Sequence, residues 1–407
     1  MNVIFVEPAF PPNQREFVRG LAAAGATVIG IGERPLDYLD DQLKGWMLHY
    51  HQVGNVTDVG SLVQTVRWIQ DQVWVDRLEA TVEAHTMSAA EAREACTIPG
   101  TSVRTAFLCR DKPSMKEALR AAGVPSADST AASSAAEVRA FARRVGFPLI
   151  LKPRAAAGAS GTVRVDDEAG LDGALADLGS SGTGSVAVEE FVEGHEAFYD
   201  TLCIGGRPVY DFASHYYPNV LEAMRERWIS PQFISTNRID SALDYAQVRD
   251  MGLRVIETLG IGTSATHMEW FFGPKGLRFS EIGCRPPGVR AWDLYAVGND
   301  VDIYREWANA VTHGAVERPL SRRLASGIVA LRPDRDGYIS HYDGVGEIQQ
   351  RFGEHIIDSH LPSPGTPTQP VEAGYMANAW VRMAHPDYDT LRNMLSAVGE
   401  TVHVRAS

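Results

Sequence analysis

Four stretches of the sequence combine residue types and spacings that could do chemistry. The first is Phe147-Pro148-Leu149-Ile150-Leu151-Lys152-Pro153, followed by a run of Ala, Gly and Ser over 155–162 that includes Gly158, Ser160 and Gly161. Small residues let a backbone fold closely over a chain of phosphates, whose oxygens the amide N–H groups can line. Lys152, at the end of an apolar strand-like run, adds a compact positive charge. The spacing GxxxxGK[ST] is absent, so this is not a P-loop. The second is Arg110-Asp111-Lys112-Pro113-Ser114-Met115-Lys116, which sets Lys112 at a helix start where the dipole already favours an anion. The third is Glu189-Glu190-Phe191-Val192-Glu193-Gly194-His195-Glu196. An acidic pair at a strand end, an apolar step and a further glutamate suit a hinge that reads a purine edge through its backbone and ribose through a carboxylate. The fourth places Glu269 and Glu281 on two strands joined by Gly273-Pro274-Lys275-Gly276, with Arg285 just beyond. Two facing carboxylates give hard oxygen ligands for Mg²⁺, and without a cation they would repel.

Each stretch also has a plainer reading when taken singly. These are a surface loop beside a solvated lysine, an ordinary helix start, a solvated acidic turn, and two glutamates on opposite faces. Arg290 is a candidate carboxylate clamp, because arginine binds carboxylate bidentately, or else half of a surface salt bridge. His215-Tyr216-Tyr217 and Arg225-Glu226-Arg227-Trp228 read as loop, with a pocket wall as the alternative. His267 reads as a buried structural histidine or as a partner of Glu269.

The elements needed to position these residues are visible as periodicity. Residues 3–6, 27–31 and 78–82 read as strands, and 14–24 and 61–72 as helices, which is the βαβ rhythm of a parallel sheet. No GxGxxG follows the first strand. Glu7-Pro8-Ala9-Phe10-Pro11-Pro12 stands there, and proline has no N–H to offer a phosphate. Helical spacing recurs at 112–123, 135–145, 247–259 and 301–312. Strands are expected at 186–190, in a hairpin over 198–204 and 207–213, and in a second over 267–272 and 277–282. From about Arg318 the pattern changes to short strands with a proline-rich loop at 362–370, which reads as a separate β-rich module.

Composition limits the function classes. The 407 residues are 44% hydrophobic and 22% charged, enough for several cores. Acidic residues outnumber basic ones 51 to 38, which argues against nucleic acid or an anionic membrane as the main partner. Cys96, Cys109, Cys203 and Cys284 show neither CxxC nor zinc spacing, and fit buried or reactive thiols of a reducing compartment. The N-terminal run has no basic flank and reads as a strand, not a leader. The expected location is cytoplasmic.

Taken in order, a helix-start lysine, a strand lysine with a Gly-rich loop, an acidic hinge, and paired glutamates with an arginine resemble the ATP-grasp superfamily over roughly 101–310. The hinge looks most like that of glycinamide ribonucleotide synthetase and its relatives. The resemblance implies a mixed α/β and α+β multidomain fold. A parallel βαβ domain would span 1–100, an ATP-grasp domain of two α+β subdomains 101–317, and the β-rich module 318–407. It implies that Lys112 and Lys152 hold ATP phosphates under a loop containing Gly158, Ser160 and Gly161. Glu189 would meet the adenine amine, Phe191 and Val192 would frame the base, and Glu196 would bind ribose. Glu269 and Glu281 would coordinate Mg²⁺, with Mn²⁺ able to substitute, and Arg285 would stabilise the transferred phosphoryl group. The implied reaction joins a small-molecule carboxylate to an amine through an acylphosphate, with an amino acid or small peptide as substrate and a homodimer as a common state. A biotin-carboxylase-like carboxylase and a nucleotide-binding protein without turnover are the alternatives. The family usually has asparagine two residues after the second glutamate; this chain has Gly283, which lacks a side-chain ligand for a second Mg²⁺.

Overall fold

The computed structural model describes residues 1–153, 162–180, 186–242, 244–371 and 375–407. Gly158, Ser160 and Gly161 lie outside the described residues.

The first element group is β1 (Asn2–Val6), α1 (Gln14–Ala23), β2 (Thr27–Gly32), α2 (Asp41–Trp46), β3 (His49–Gln52), α3 (Val59–Gln70), β4 (Arg77–Glu79) and α4 (Thr86–Ala95). Its strands form a parallel sheet in the order β3-β2-β1-β4. Val3, Ile4, Phe5 and Val6 are all buried, as expected of a strand covered on both faces.

Next come α5 (Val103–Leu108), α6 (Lys112–Ala121), β5 (Ser129–Ala132), α7 (Ala135–Val145), β6 (Leu149–Pro153), β7 (Val163–Val165), α8 (Glu168–Ser180) and β8 (Val186–Glu190). Strands β5-β8-β6-β7 make a small antiparallel sheet. The start of α6 is fixed locally: the Asp111 carboxylate accepts the Ser114 N–H at 3.1 Å, and Pro113 occupies the first turn.

The chain then builds β9 (His195–Ile204), β10 (Arg207–Tyr217), α9 (Val220–Ala223), β11 (Gln232–Ser235), α10 (Tyr245–Leu259), β12 (Ser264–Gly273), β13 (Gly276–Gly283), α11 (Ala291–Asn299) and α12 (Ile303–His313). It ends with β14 (Ala325–Leu331), β15 (Ile339–Asp343), α13 (Val345–Phe352), β16 (Ile356–His360), β17 (Ala379–His385), α14 (Tyr388–Thr401) and β18 (His403–Ala406).

One sheet of eight strands spans most of this half, in the order β13-β12-β9-β10-β11-β14-β17-β16. This corrects the reading of a separate β-rich module after Arg318. Strands β14, β16 and β17 continue the sheet that carries the glutamate hairpin; among the described residues only β15 and β18 of this region pair by themselves. The reason is that β14 is buried at every position, which requires neighbours on both edges and both faces. The same region also holds helix α14, whose Leu391, Met394, Leu395 and Val398 face the core at helical spacing.

Helix α1 of the parallel domain lies directly on α12. A Cβ on Gly20 would stand 2.4 Å from the Tyr304 carbonyl oxygen, so only glycine permits this approach. Among the described residues no helix is long and apolar enough to cross a membrane.

Candidate active site

A cavity of about 870 Å³ opens between the small sheet and the eight-stranded sheet. Lys116, Lys152, Glu189, Phe191, Val192, Glu196, Glu269, Glu281 and Arg285 all reach its wall.

Sheet register explains the acidic side. Glu269 and Glu281 are direct partners across β12 and β13, hence on one face. Strand β9 pairs with β12 so that Glu196 and Asp200 share that face, since His267 opposes Asp200 and Phe271 opposes Glu196. The paired-carboxylate reading therefore holds as geometry, and it extends to a third glutamate. Burial pushes the Glu196 carboxyl up to about 8, and the charge on Glu269 adds to the effect. Its Oε2 accepts the Val220 N–H at 2.7 Å. Glu196, expected on ribose, lines the cavity and shares a sheet face with Glu269.

The basic side is an ion-pair lattice. Lys112 Nζ lies 2.8 Å from Glu281 Oε2. Lys152 and Lys116 both reach Glu189 Oε2, at 2.8 and 2.9 Å. Burial alone would raise the Glu189 carboxyl, but the two lysines outweigh it and hold it down to about 2. Glu189, expected at the adenine amine, is their shared counter-ion in the structure. Its other oxygen, Oε1, is buried without a partner among the described residues.

Sequence reasoning missed Lys116. Its signal was the buried stripe Lys112, Met115, Lys116 and Leu119 on α6, an i, i+3, i+4, i+7 face. A lysine on such a face needs a buried partner. Glu83 was also missed, and no local pattern marks it: it lies 202 residues from Arg285, whose Nε and Nη2 donate to it at 3.0 and 2.6 Å.

His267 is tied from both sides. Its Nδ1 lies 2.7 Å from Asp200 Oδ1, and its Nε2 lies 3.7 Å from Glu269 Oε1. Burial would lower its pKa, but buried Asp200 overrides this and lifts it to about 9. Asp200 also accepts from the Tyr295 hydroxyl at 2.5 Å.

The hinge residues line the cavity. Phe191 receives the Arg164 guanidinium 4.2 Å above its ring. The Glu190 and Phe191 amides donate to the carbonyls of Asp128 (2.8 Å) and Pro148 (3.1 Å). The hinge is clamped onto the glutamate hairpin, since a Cβ on Gly194 would fall 2.5 Å from Phe272 O. Tyr216, Arg225 and Glu226, read as loop, line the cavity; Tyr216 does so from strand β10.

Arg290 is not brought to the cavity wall. Its side chain is 51% exposed, and its Nε pairs with Asp293 at 2.6 Å in the first turn of α11. The clamp expectation therefore gives way to the salt-bridge alternative.

Among the described residues no group of three His, Cys, Asp or Glu side chains is arranged to hold a metal ion. Two carboxylates such as Glu269 and Glu281 fit Mg²⁺ carried by phosphates, which needs only one or two protein carboxylates.

The fold and this constellation bring two lysines, an arginine and several carboxylates to one cavity. Residues 117–295 match the family model of the ATP-grasp domain. Over 278 residues the chain is 27% identical to an uncharacterized protein of Sinorhizobium fredii, covering 66% of this chain and 55% of that one. Over 250 residues it is 26% identical to an L-arginine-specific L-amino acid ligase of Bacillus subtilis, covering 60% and 59%. The chain thus spans little more than half the length of these relatives. The crystal structure of an L-amino acid ligase from Bacillus licheniformis has the same fold, with a TM-score of 0.78 at 16% identity, over 100% of this chain and 98% of that one.

Proposed function

We propose that the protein is an ATP-dependent carboxylate–amine ligase that activates a small carboxylate as an acylphosphate, forms an amide bond and releases ADP and phosphate. Its preferred substrate class is an amino acid or small peptide. The observation that carries this reading is one cavity wall with Lys116 and Lys152 held by Glu189, beside Glu269, Arg285 and a Glu281 that is paired from behind by Lys112.

Bringing a polyphosphate and a carboxylate together means placing anions at reacting distance, so the protein must neutralise and orient. Lys112 and Lys152 would turn from their glutamates to phosphate oxygens. With the Glu190 and Phe191 amides committed, the adenine edge falls to Val192, beside the Phe191 ring. Arg285, braced by Glu83, would meet the charge that builds on the transferred phosphoryl group. Glu269 and Glu281 would hold Mg²⁺, which supplies Lewis-acid polarisation of phosphoryl oxygens. Asp200 and His267 would fix the orientation of Glu269.

Gly283 favours a second reading, nucleotide binding without turnover. A Cβ there would stand 3.3 Å from Arg285 Cγ, so a side chain at this position would crowd the arginine stem. The test is ³¹P NMR of the protein with ATP, Mg²⁺ and a matrix of amino acid pairs. ADP and phosphate formed only with one carboxylate and one amine establish the ligase. ADP formed with bicarbonate alone would make it a carboxylase, and bound ATP without turnover would support the second reading.

A further inference from the structure

The cations on the cavity wall are not all alike. Among the described residues Lys116, Lys152, Arg164, Arg225 and Arg285 line it. Lys116 and Lys152 share Glu189, Arg164 pairs with Asp166 at 2.7 Å, and Arg285 pairs with Glu83 at 2.6 Å. The Arg225 guanidinium, exposed at the cavity, has no carboxylate or carbonyl partner among the described residues. Its backbone, by contrast, is fixed. At the start of α9 the Val220 N–H donates to Glu196 Oε2 at 2.7 Å, and Asn219 Nδ2 donates to the Gly194 carbonyl at 2.7 Å. Beyond α9 the Arg225 N–H donates to the Glu222 carbonyl at 3.1 Å. Arg332 Nη1 donates to the carbonyls of both Ala223 and Glu226, so one guanidinium pins the chain on either side of Arg225. The same segment sends half-buried Leu221 and Met224 to the cavity wall, together with Glu222 and Glu226. The two apolar side chains suit an apolar ligand body. The two glutamates would repel the double charge of a phosphate ester more than the single charge of a carboxylate.

We propose that Arg225 holds a carboxylate that takes no part in the reaction: the α-carboxylate of an amine substrate that is itself an amino acid with an apolar side chain, seated on Leu221 and Met224. This rests on the ligase reading above. In that reaction the carboxylate of the acid substrate goes to the phosphoryl group beside Arg285. An amino acid that enters as the amine brings a second carboxylate, which needs a cation of its own on leaving water. Arg225 is the cavity-lining cation, among the described residues, that can pair with it without giving up a carboxylate partner. The clamp role that Arg290 does not fill thus falls to a residue sixty-five positions earlier in the chain.

The test has a binding arm and a kinetic arm, both on the whole protein. Saturation-transfer NMR titrates leucine, methionine and phenylalanine and their carboxamides, with and without Mg²⁺ and a non-hydrolysable ATP analogue. The free amino acids should bind about tenfold or more tighter than the carboxamides; Arg225→Met should abolish that preference and Arg225→Lys should keep part of it. Kinetics then compares leucine with leucinamide as the amine, using the acid substrate found by ³¹P NMR. Arg225→Met should raise the KM for leucine about tenfold or more, with the KM for leucinamide, kcat and the calorimetric MgATP affinity little changed. Three results would overturn the proposal: equal or absent binding of acids and carboxamides by the parent, a preference that survives in Arg225→Met, or a KM rise confined to the acid substrate. An Arg225-dependent preference in a protein that forms no ADP with any pair would count against the ligase reading and leave the carboxylate site standing.

Discussion

Lys116 and Lys152, from helix α6 and strand β6, meet on one oxygen, Glu189 Oε2, at 2.9 and 2.8 Å. Lys116 is 1% exposed, whereas Lys152 reaches the cavity more openly, at 12%. This asymmetry assigns them different work. When Lys152 turns to a phosphate, Glu189 must not be left as an uncompensated buried charge, which costs about 3–5 kcal/mol. Lys116 keeps it paired. Lys116→Met should therefore weaken MgATP binding by about tenfold or more, or about 1.4 kcal/mol, by holding Lys152 on Glu189. Adding Glu189→Gln should restore part of the loss. Calorimetric affinities of the single and double variants check this; an equal loss in both would remove Glu189 as the link.

The same carboxylate sets an acid limit. The folded pKa of Glu189 is about 2, below its ordinary 4.5. Its stabilising contribution is therefore complete above pH 4.5 and is lost as the pH falls toward 2. Glu189→Gln should flatten that part of the stability curve, read by urea unfolding. An unchanged acid limb in the variant would contradict the pairing.

Glu196 acts in the opposite sense. Its folded pKa is about 8, above 4.5. Between these values the folded state binds more protons than the unfolded one, so stability falls as the pH rises through this window. Glu196→Gln should raise the Tm at pH 8 relative to the parent and leave it nearly unchanged at pH 4.5. Equal shifts at both values would show that its burial is not what moves it.

Much of this arrangement was legible in local patterns. The hairpin glycines and the alternation around Glu269 and Glu281 fixed two strands, and a shared face followed from their register. Asp111, Pro113 and the apolar stripe marked α6. What local pattern cannot carry is partnership across long separations. Glu189 reads as hinge until Lys116 and Lys152 are brought to it. Arg285 reads as a phosphate ligand until Glu83, from the parallel domain, is seen holding it. Strands β14, β16 and β17 read as a separate unit because sheet membership is decided by edges that lie far apart in the chain.

That Arg285–Glu83 contact supports the last prediction. Arg285 donates to Glu83 from two nitrogens, and its Nη1 donates to the Pro286 carbonyl at 2.9 Å. Both side chains are partly exposed, at 20% and 25%, so the pair contributes modestly to stability, about 1 kcal/mol or less. Its value is orientation, because a guanidinium held on one edge presents its remaining donors to the cavity in a fixed direction. Glu83→Gln should therefore lower kcat about tenfold or more, while MgATP affinity and unfolding stability change little. Arg285→Lys should cost more, since lysine cannot hold Glu83 and a phosphoryl oxygen together in one plane. Steady-state kinetics with the substrates found by ³¹P NMR, alongside calorimetry and urea unfolding, check both variants. A Glu83→Gln protein with unchanged kcat would show that Arg285 needs no brace from the parallel domain.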